Sequence, residues 1–445
     1  VNRRQLAEVE RTPLERSLPR LKSLTSPLTG VVPFTQQLLP TTDDARLFHV
    51  ASITCESEAI LGSSSNRFNG GISVTYDAAL AAAIGEGLER YAGAYTEENL
   101  VRFTTAAEIG PAAARPETFT LFHPSQYARQ GFPFVPFTSE TRIRWTPAFR
   151  LPGGEPAYVP TQLSAVGDVY HGEPRLGYAT SSGMACGPTL EEAILSGLLE
   201  LVERDAFLVA WYNALSLPLV DWRSDAVIAE ENRRFFAPTG LEFRVVDLSP
   251  VIGVPTALSV CRDEYGEVAL AVGCASAPTM RDAVRKSIRE SFQTRSFGRQ
   301  LRADMPDWRC EDFDAIETFE DHVLFYAGRE GAARAGFIDR SPVRTPIAAV
   351  AGLEGRTVTD WIRAIVAKLA RVGASVFVVE TTPPDLRSAG LHAVAVVSPE
   401  LCRLDVPYRQ RYLGGRRLYD AAFEAGLLPR PLTIDGLNPL PHPFP

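Results

Sequence analysis

The chain has 445 residues, 45% of them apolar and 22% charged, a balance that allows a large buried core in an ordinary globular protein. Its net charge of −8 gives no broad cationic field, which argues against sequence-independent binding to a nucleic-acid backbone or an anionic membrane. No apolar run approaches the ~18 residues that a membrane span requires, and Val-Asn-Arg-Arg-Gln-Leu-Ala-Glu at the N-terminus has no apolar signal core, so neither membrane nor nucleic acid is expected as a partner.

In chain order, residues 1–50 read as an N-terminal segment and not as a domain. A polar helical stretch from Arg4 to Leu24 is followed by Ser26-Pro27-Leu28-Thr29-Gly30, whose Pro and Gly mark a turn. Strands are expected at Phe48 to Thr54, Phe243 to Leu248, Thr256 to Arg262 and Glu267 to Ala275. Helical spacing of small and apolar residues covers Asp77 to Tyr95, Leu190 to Tyr212 and Met280 to Arg299, and a later helix, Val358 to Val372, leads into a strand at Ala374 to Val379. Interspersed helices and strands predict a mixed α/β or α+β class with helices on mainly antiparallel sheets, in one large intertwined domain over 51–426. From Leu428 the prolines remove amide donors and fix φ, so residues 427–445 form an extended tail. Cys55, Cys186, Cys261, Cys274, Cys310 and Cys402 are widely spaced, with no C-x-x-C pair and no histidines at zinc-ligand spacing. They suit the reduced thiols of a cytoplasmic protein.

One pattern recurs on three of the helices: Glu86-Gly-Leu-Glu89-Arg90, Glu200-Leu-Val-Glu203-Arg204 and Glu290-Ser-Phe-Gln293-Thr-Arg295. Residues three apart share a helix face, so each helix presents two oxygen-bearing side chains together. Two of the pairs sit in apolar settings, where a carboxylate is costly unless it is paired or binds a cation. Hard oxygen ligands from several helices suit Mg²⁺, which bridges nucleotide phosphates, and neighbouring arginines suit phosphoryl oxygens. There is no G-x-x-x-x-G-K-[ST] loop, so any ATP is bound by this acidic, metal-centred route.

Two longer runs carry a family resemblance. Asn69-Gly-Gly with Ala78-Ala-Leu-Ala-Ala-Ala-Ile-Gly-Glu86-Gly-Leu-Glu89-Arg90-Tyr, and Ser181-Ser182-Gly183 continuing to Glu192, Glu200, Glu203 and Arg204-Asp-Ala-Phe, resemble the two main signatures of the YcaO superfamily. Ala283 to Arg295 is similar to its third, and Gly390 to Pro399 to a later core strand. The resemblance implies that Glu86, Glu89, Arg90, Ser182, Glu192, Glu200, Glu203, Arg204, Glu290 and Gln293 form the ATP site, with Glu86, Glu89, Glu200 and Glu203 on Mg²⁺. The sequence departs from the family where Gly-Lys-Gly becomes Asn69-Gly70-Gly71, which removes a cation near the phosphates, and where Ser-Asn-Gly becomes Ser181-Ser182-Gly183. Lys22, Ser23 and Ser26 are candidates for an N-terminal basic or hydroxyl contribution.

The ending Asn438-Pro-Leu-Pro441-His442-Pro443-Phe444-Pro445 is similar to the Pro-x-Pro-x-Pro terminus of the azoline-forming members of that superfamily. Alternating prolines stiffen such a segment, so a terminal carboxylate reaches a fixed point at little ordering cost. The resemblance implies that cysteine, serine or threonine residues of a ribosomal precursor peptide become thiazolines or oxazolines. The Pro445 carboxylate would assist proton transfers, Pro441 and Pro443 would place it, and His442 is a further candidate base. Deleting Phe444-Pro445 is then expected to abolish cyclisation and largely spare ATP binding. Relatives engage the leader of their peptide through a ThiF/E1-like domain. The signatures here start near residue 50, so the expectation is a separate ThiF/E1-like leader-binding partner and a homodimer. Thioamide formation and a non-catalytic scaffold are the competing readings.

Overall fold

The computed structural model describes residues 3–167 and 172–444. Its strands pair antiparallel, apart from Arg344–Pro346, which runs parallel to Leu219–Asp221. The class is α+β, and the intertwining takes the form of two compact units built from alternating stretches of chain. The first comprises Val1–Leu38, Phe48–Leu201 and Glu354–Leu401, the second Leu39–Leu47, Val202–Leu353 and Cys402–Pro445.

In the first unit, Phe34–Leu38, Phe48–Ile53 and Phe68–Ser73 form a three-stranded sheet with Phe48–Ile53 in the middle. Alternation turns Val50 and Ser52 inward and leaves Phe68 exposed. The first glutamate helix, Tyr76–Gly93, packs on the inner face, and its small residues let it come close. Gly71 permits that approach: a Cβ there would lie 2.3 Å from the Ala79 carbonyl oxygen. Ala79, Ala83, Ile84, Leu88 and Tyr91 share a core with Val32 and Val50. A second sheet runs Arg102–Thr104, Ile143–Leu151, Val376–Glu380, His392–Val397, Met184–Gly187, with Glu155–Pro160 paired to Ile143–Leu151.

The expected helix from Arg4 forms only over Leu14–Lys22. Upstream of Pro13 the backbone amides are drawn off to other elements: Arg4 to the Gly154 carbonyl, Ala7 to Glu191, Val9 to Thr359 and Thr12 to Glu192. A segment whose donors are satisfied this way gains nothing by coiling.

The second unit holds a five-stranded sheet in the order Leu270–Ser276, Thr256–Arg262, Glu242–Asp247, Leu219–Asp221, Arg344–Pro346. The strand expected from Glu267 starts at Leu270, because the Asp263 carboxylate accepts the amides of Tyr265 and Gly266 and closes a turn there. The third glutamate helix, Met280–Asp304, opens with Thr279 accepting the Asp282 amide and packs on Leu270–Ser276. The second glutamate helix, Leu190–Tyr212, contributes its first turns to the first unit and the rest to the second. No helix among the described residues is long and apolar enough to cross a membrane.

Candidate functional site

A strand glycine and a glycine-bearing turn aim two of the glutamates in the first unit. The Gly70 amide donates to Glu86 Oε2 at 2.9 Å, and the Gly183 amide donates to Glu200 Oε2 at 3.2 Å. Gly183 has φ +85°, and a Cβ on it would lie 2.2 Å from the Val396 carbonyl oxygen, so this turn requires glycine. Position 70 thus presents its backbone amide to a carboxylate. Arg90 Nη2 stands 3.3 Å from Glu86 Oε1. Burial works against the Arg90 charge, yet Glu89, Glu86 and Glu200 together hold its pKa above the ordinary arginine value. Glutamates of two helices thus act on one guanidinium, with Glu86 in direct contact. Cys186 lies beside them, its thiol pushed up to about 12 by burial and by Glu89.

Glu192 is placed apart from this group. It accepts the Thr12 amide and hydroxyl, both at 2.8 Å, and the Thr189 hydroxyl at 3.0 Å, while its own amide donates to Thr189. It lies eight residues, roughly 12 Å along the helix axis, from Glu200. Both its oxygens are engaged in capping the helix and tethering the N-terminal segment. Thr12, missed in the sequence, is the N-terminal hydroxyl that reaches this helix. Ser23 bonds back to the Arg20 carbonyl and Ser26 accepts the amides of Leu28 and Thr29, so both serve local turns. The Ser182 amide faces the Thr180 hydroxyl, which itself donates to the Ser182 hydroxyl at 3.0 Å.

In the second unit, Glu203 is buried, and Arg204 Nε lies 3.9 Å from its Oε1. Lys286 Nζ is 3.4 Å from Glu290 Oε1, and Gln293 follows on the same helix face. Cys274 sits among them. Burial raises its thiol far above the usual range, with Glu203 and Glu290 adding to the effect and Arg204 and Lys286 opposing it. Arg295, two residues beyond Gln293, is committed elsewhere: it pairs with Asp43 and Asp263 at 3.0 Å and with Asp44 at 3.5 Å. It anchors Leu39–Leu47.

Among the described residues no three acidic, histidine or cysteine side chains stand close enough to hold a metal by themselves. Glu86, Glu89, Glu200 and Glu203 are thus not a ready-made cage. The carboxylate chemistry still fits Mg²⁺, which keeps waters and takes one or two carboxylates together with phosphate oxygens.

The proline tail is buried at its end, where Pro441, His442, Pro443 and Phe444 are all enclosed in the second unit. The Phe444 ring lies 3.9 Å beneath the Arg204 guanidinium and 5.1 Å from the Phe207 ring. His442 Nε2 donates to the Asp405 carbonyl at 2.8 Å, and its Nδ1 accepts the Phe444 amide at 3.2 Å. Both ring nitrogens are occupied, and burial brings its pKa down to about 4. The imidazole expected as a candidate base is thus held at both nitrogens in the second unit. Pro445 lies outside the described residues. The sequence reading missed the residues that receive the tail, among them Trp211 and Tyr326, because they are brought to it only by long-range folding.

A protein-family model described as YcaO cyclodehydratase, ATP- and Mg²⁺-binding, matches residues 70–402. An uncharacterized protein in the tfuA 3′ region of Rhizobium leguminosarum bv. trifolii is 32% identical over 166 residues, which is 34% of this chain and 39% of its own length. Among solved structures, a heterocyclase in complex with substrate and cofactor is 25% identical with a TM-score of 0.82, the match covering 100% of this chain and 59% of that one. YcaO from Methanopyrus kandleri bound with AMPPCP and Mg²⁺ shares the fold at 20% identity and a TM-score of 0.63, over 89% of this chain and 94% of that one. This chain therefore spans 39% and 59% of the first two relatives.

Proposed function

Because the chain belongs to the YcaO family, we propose that it is an ATP-dependent cyclodehydratase that converts cysteine, or serine and threonine, residues of a ribosomal precursor peptide into thiazolines or oxazolines. The observation that carries this reading is the buried proline tail, whose last described ring stacks on Arg204 beside Glu203. The ending resembles the Pro-x-Pro-x-Pro terminus of azoline-forming members, and that resemblance favours azoline formation over other uses of the same acidic helices.

In the reaction, the substrate side chain attacks the preceding amide carbon and the carbonyl becomes an oxyanion. That attack closes the ring; ATP with Mg²⁺ would supply the phosphoryl group that makes this oxygen a leaving group, and loss of phosphate together with the amide N–H proton would form the C=N bond of the azoline. Glu86, Glu89, Glu200 and Glu203 are the residues assigned to the cation, with the orientation of Glu86 supported by the Gly70 amide and that of Glu200 by the Gly183 amide. Arg90, Arg204, Glu290, Gln293 and Ser182 are assigned to the nucleotide, where arginines offset charge developing on the transferred group. The terminal carboxylate of Pro445 is assigned the proton transfers, with Pro441 and Pro443 as its stiff support. His442 is assigned to anchoring the tail.

The reading extends to a cytoplasmic homodimer that works with a separate ThiF/E1-like leader-binding protein. The test is to incubate the chain with partner, precursor peptide, ATP and Mg²⁺ and to follow peptide mass and phosphate. Loss of one water per ring with phosphate release is expected; exchange of oxygen for sulfur would assign thioamide formation instead, and no ATP consumption would leave a scaffold.

A further inference from the structure

The tail poses a hydrogen-bonding problem that its sequence alone cannot solve. Pro439, Pro441 and Pro443 have no N–H, so an extended segment here offers mainly acceptors and cannot join a sheet as an ordinary strand. In the second unit each carbonyl from 439 to 442 is met by a different side chain. Tyr408 Oη donates to the Pro439 carbonyl at 2.7 Å, Trp211 Nε1 to that of Leu440 at 3.1 Å, and Tyr326 Oη to that of Pro441. His322 Nδ1 lies 2.7 Å from the His442 carbonyl, and its ring stacks on that of His442 at 4.2 Å. Upstream, the Asn438 amide donates to the Tyr212 carbonyl at 2.7 Å. Trp211 and Tyr212 end the second glutamate helix, whereas His322 and Tyr326 lie one turn apart on Phe319–Ala327.

We propose that Tyr408, Trp211, Tyr326 and His322 form a receiver for the tail, positioning residues that fix its register and so set where the chain end stops. An extended proline segment advances about 3.1 Å per residue, and a slip of one residue would bring a proline ring to the socket that holds the His442 imidazole. Donors on four consecutive carbonyls, with that imidazole between Asp405 and His322, admit a single register. The prolines and the receiver are thus complementary: one side has lost its donors and the other supplies them. The consequence for catalysis rests on the reading that the chain end serves cyclisation.

The experiment compares the unaltered chain with Tyr326→Phe, Tyr408→Phe and the double variant. Each removes one hydroxyl and keeps the ring. The readouts are hydrogen exchange of a peptide covering 438–445, thermal melting, nucleotide affinity, and cyclisation with partner and precursor peptide. Each lost bond is expected to speed tail exchange roughly fivefold, and the double variant about 25-fold, with melting and nucleotide affinity little changed. Cyclisation kcat should fall in step while KM for ATP holds. Unchanged tail exchange in the double variant overturns the receiver whatever the activity. Faster exchange with undiminished cyclisation upholds the receiver and overturns the catalytic reading of the tail. If Tyr326→Phe unfolds, Tyr408→Phe, at a less buried position, decides the question alone by the same exchange measurement.

Discussion

At the scale of the residue, the chain aims its carboxylates with its own backbone. Glu200 takes the Gly183 amide on one oxygen, and a glutamine there could still accept that bond through its carbonyl. Glu200→Gln therefore isolates the charge, and we expect Mg²⁺-dependent ATP binding to weaken tenfold or more by calorimetry, about 1.4 kcal/mol. Unchanged affinity would remove Glu200 from the site. Asp205, next to Arg204, tests burial: it is fully enclosed and held by Arg417 through two bonds of 2.9 and 2.6 Å. Arg417→Ala leaves that carboxylate buried with only the Cys402 amide as its recorded donor, and should cost roughly 3–5 kcal/mol in denaturant unfolding.

At the scale of the element, the tail and the second glutamate helix act on each other. Removing Pro445 alone keeps the Phe444 ring under Arg204, so cyclisation should fall while KM for ATP stays. Removing Phe444 as well strips the ring from the guanidinium, and KM for ATP should then rise several-fold, a revision of the expectation that this deletion spares nucleotide binding. Steady-state kinetics on the two truncations separates the effects. Acid should also loosen the tail. His442 has its pKa brought from 6.5 to about 4 by burial, with Arg204 adding to the fall and the Asp405 carbonyl opposing it, and His322 is lowered to about 4 as well. The folded state refuses a proton that the unfolded chain accepts below 6.5. The stabilisation is thus complete above pH 6.5 and is lost as pH falls from 6.5 towards 4, by roughly 3 kcal/mol per histidine. Urea unfolding followed across that range should show the loss, and His442→Asn should roughly halve it, leaving the share of His322.

At the scale of the whole molecule, the two units divide the expected ligands between them. Glu86, Glu89, Arg90 and Glu200 fall in the first and Glu203, Arg204, Glu290 and Gln293 in the second. The break comes inside the second glutamate helix, between Leu201 and Val202. Sedimentation of the purified chain checks the proposed homodimer, for which a mass near 97 kDa is about twice the 48.6 kDa of one copy. Adding the leader-binding partner should raise peptide turnover far above that of the chain alone; equal turnover without it would remove the partner from the proposal.

The local signals carried most of the elements. Leu190–Tyr212 and Thr256–Arg262 begin and end where their periodicity does, because an apolar stripe or a β-branched run is written in consecutive residues. The glutamate spacing was legible for the same reason, since residues three apart share a face on any helix. Long-range bonding was not. The amides of residues 4–12, the engagement of Glu192 with Thr12, and the commitment of Arg295 to Asp43 and Asp263 all depend on partners more than thirty to a few hundred positions away. The tail shows both sides. Its sequence dictates an extended, donor-poor segment that cannot end as a helix, because proline fixes φ and lacks an N–H. Only the tertiary structure decided that the segment is buried, that both ring nitrogens of His442 are bonded, and which side chains supply the missing donors, because those donors meet the tail only once the second unit has folded around it.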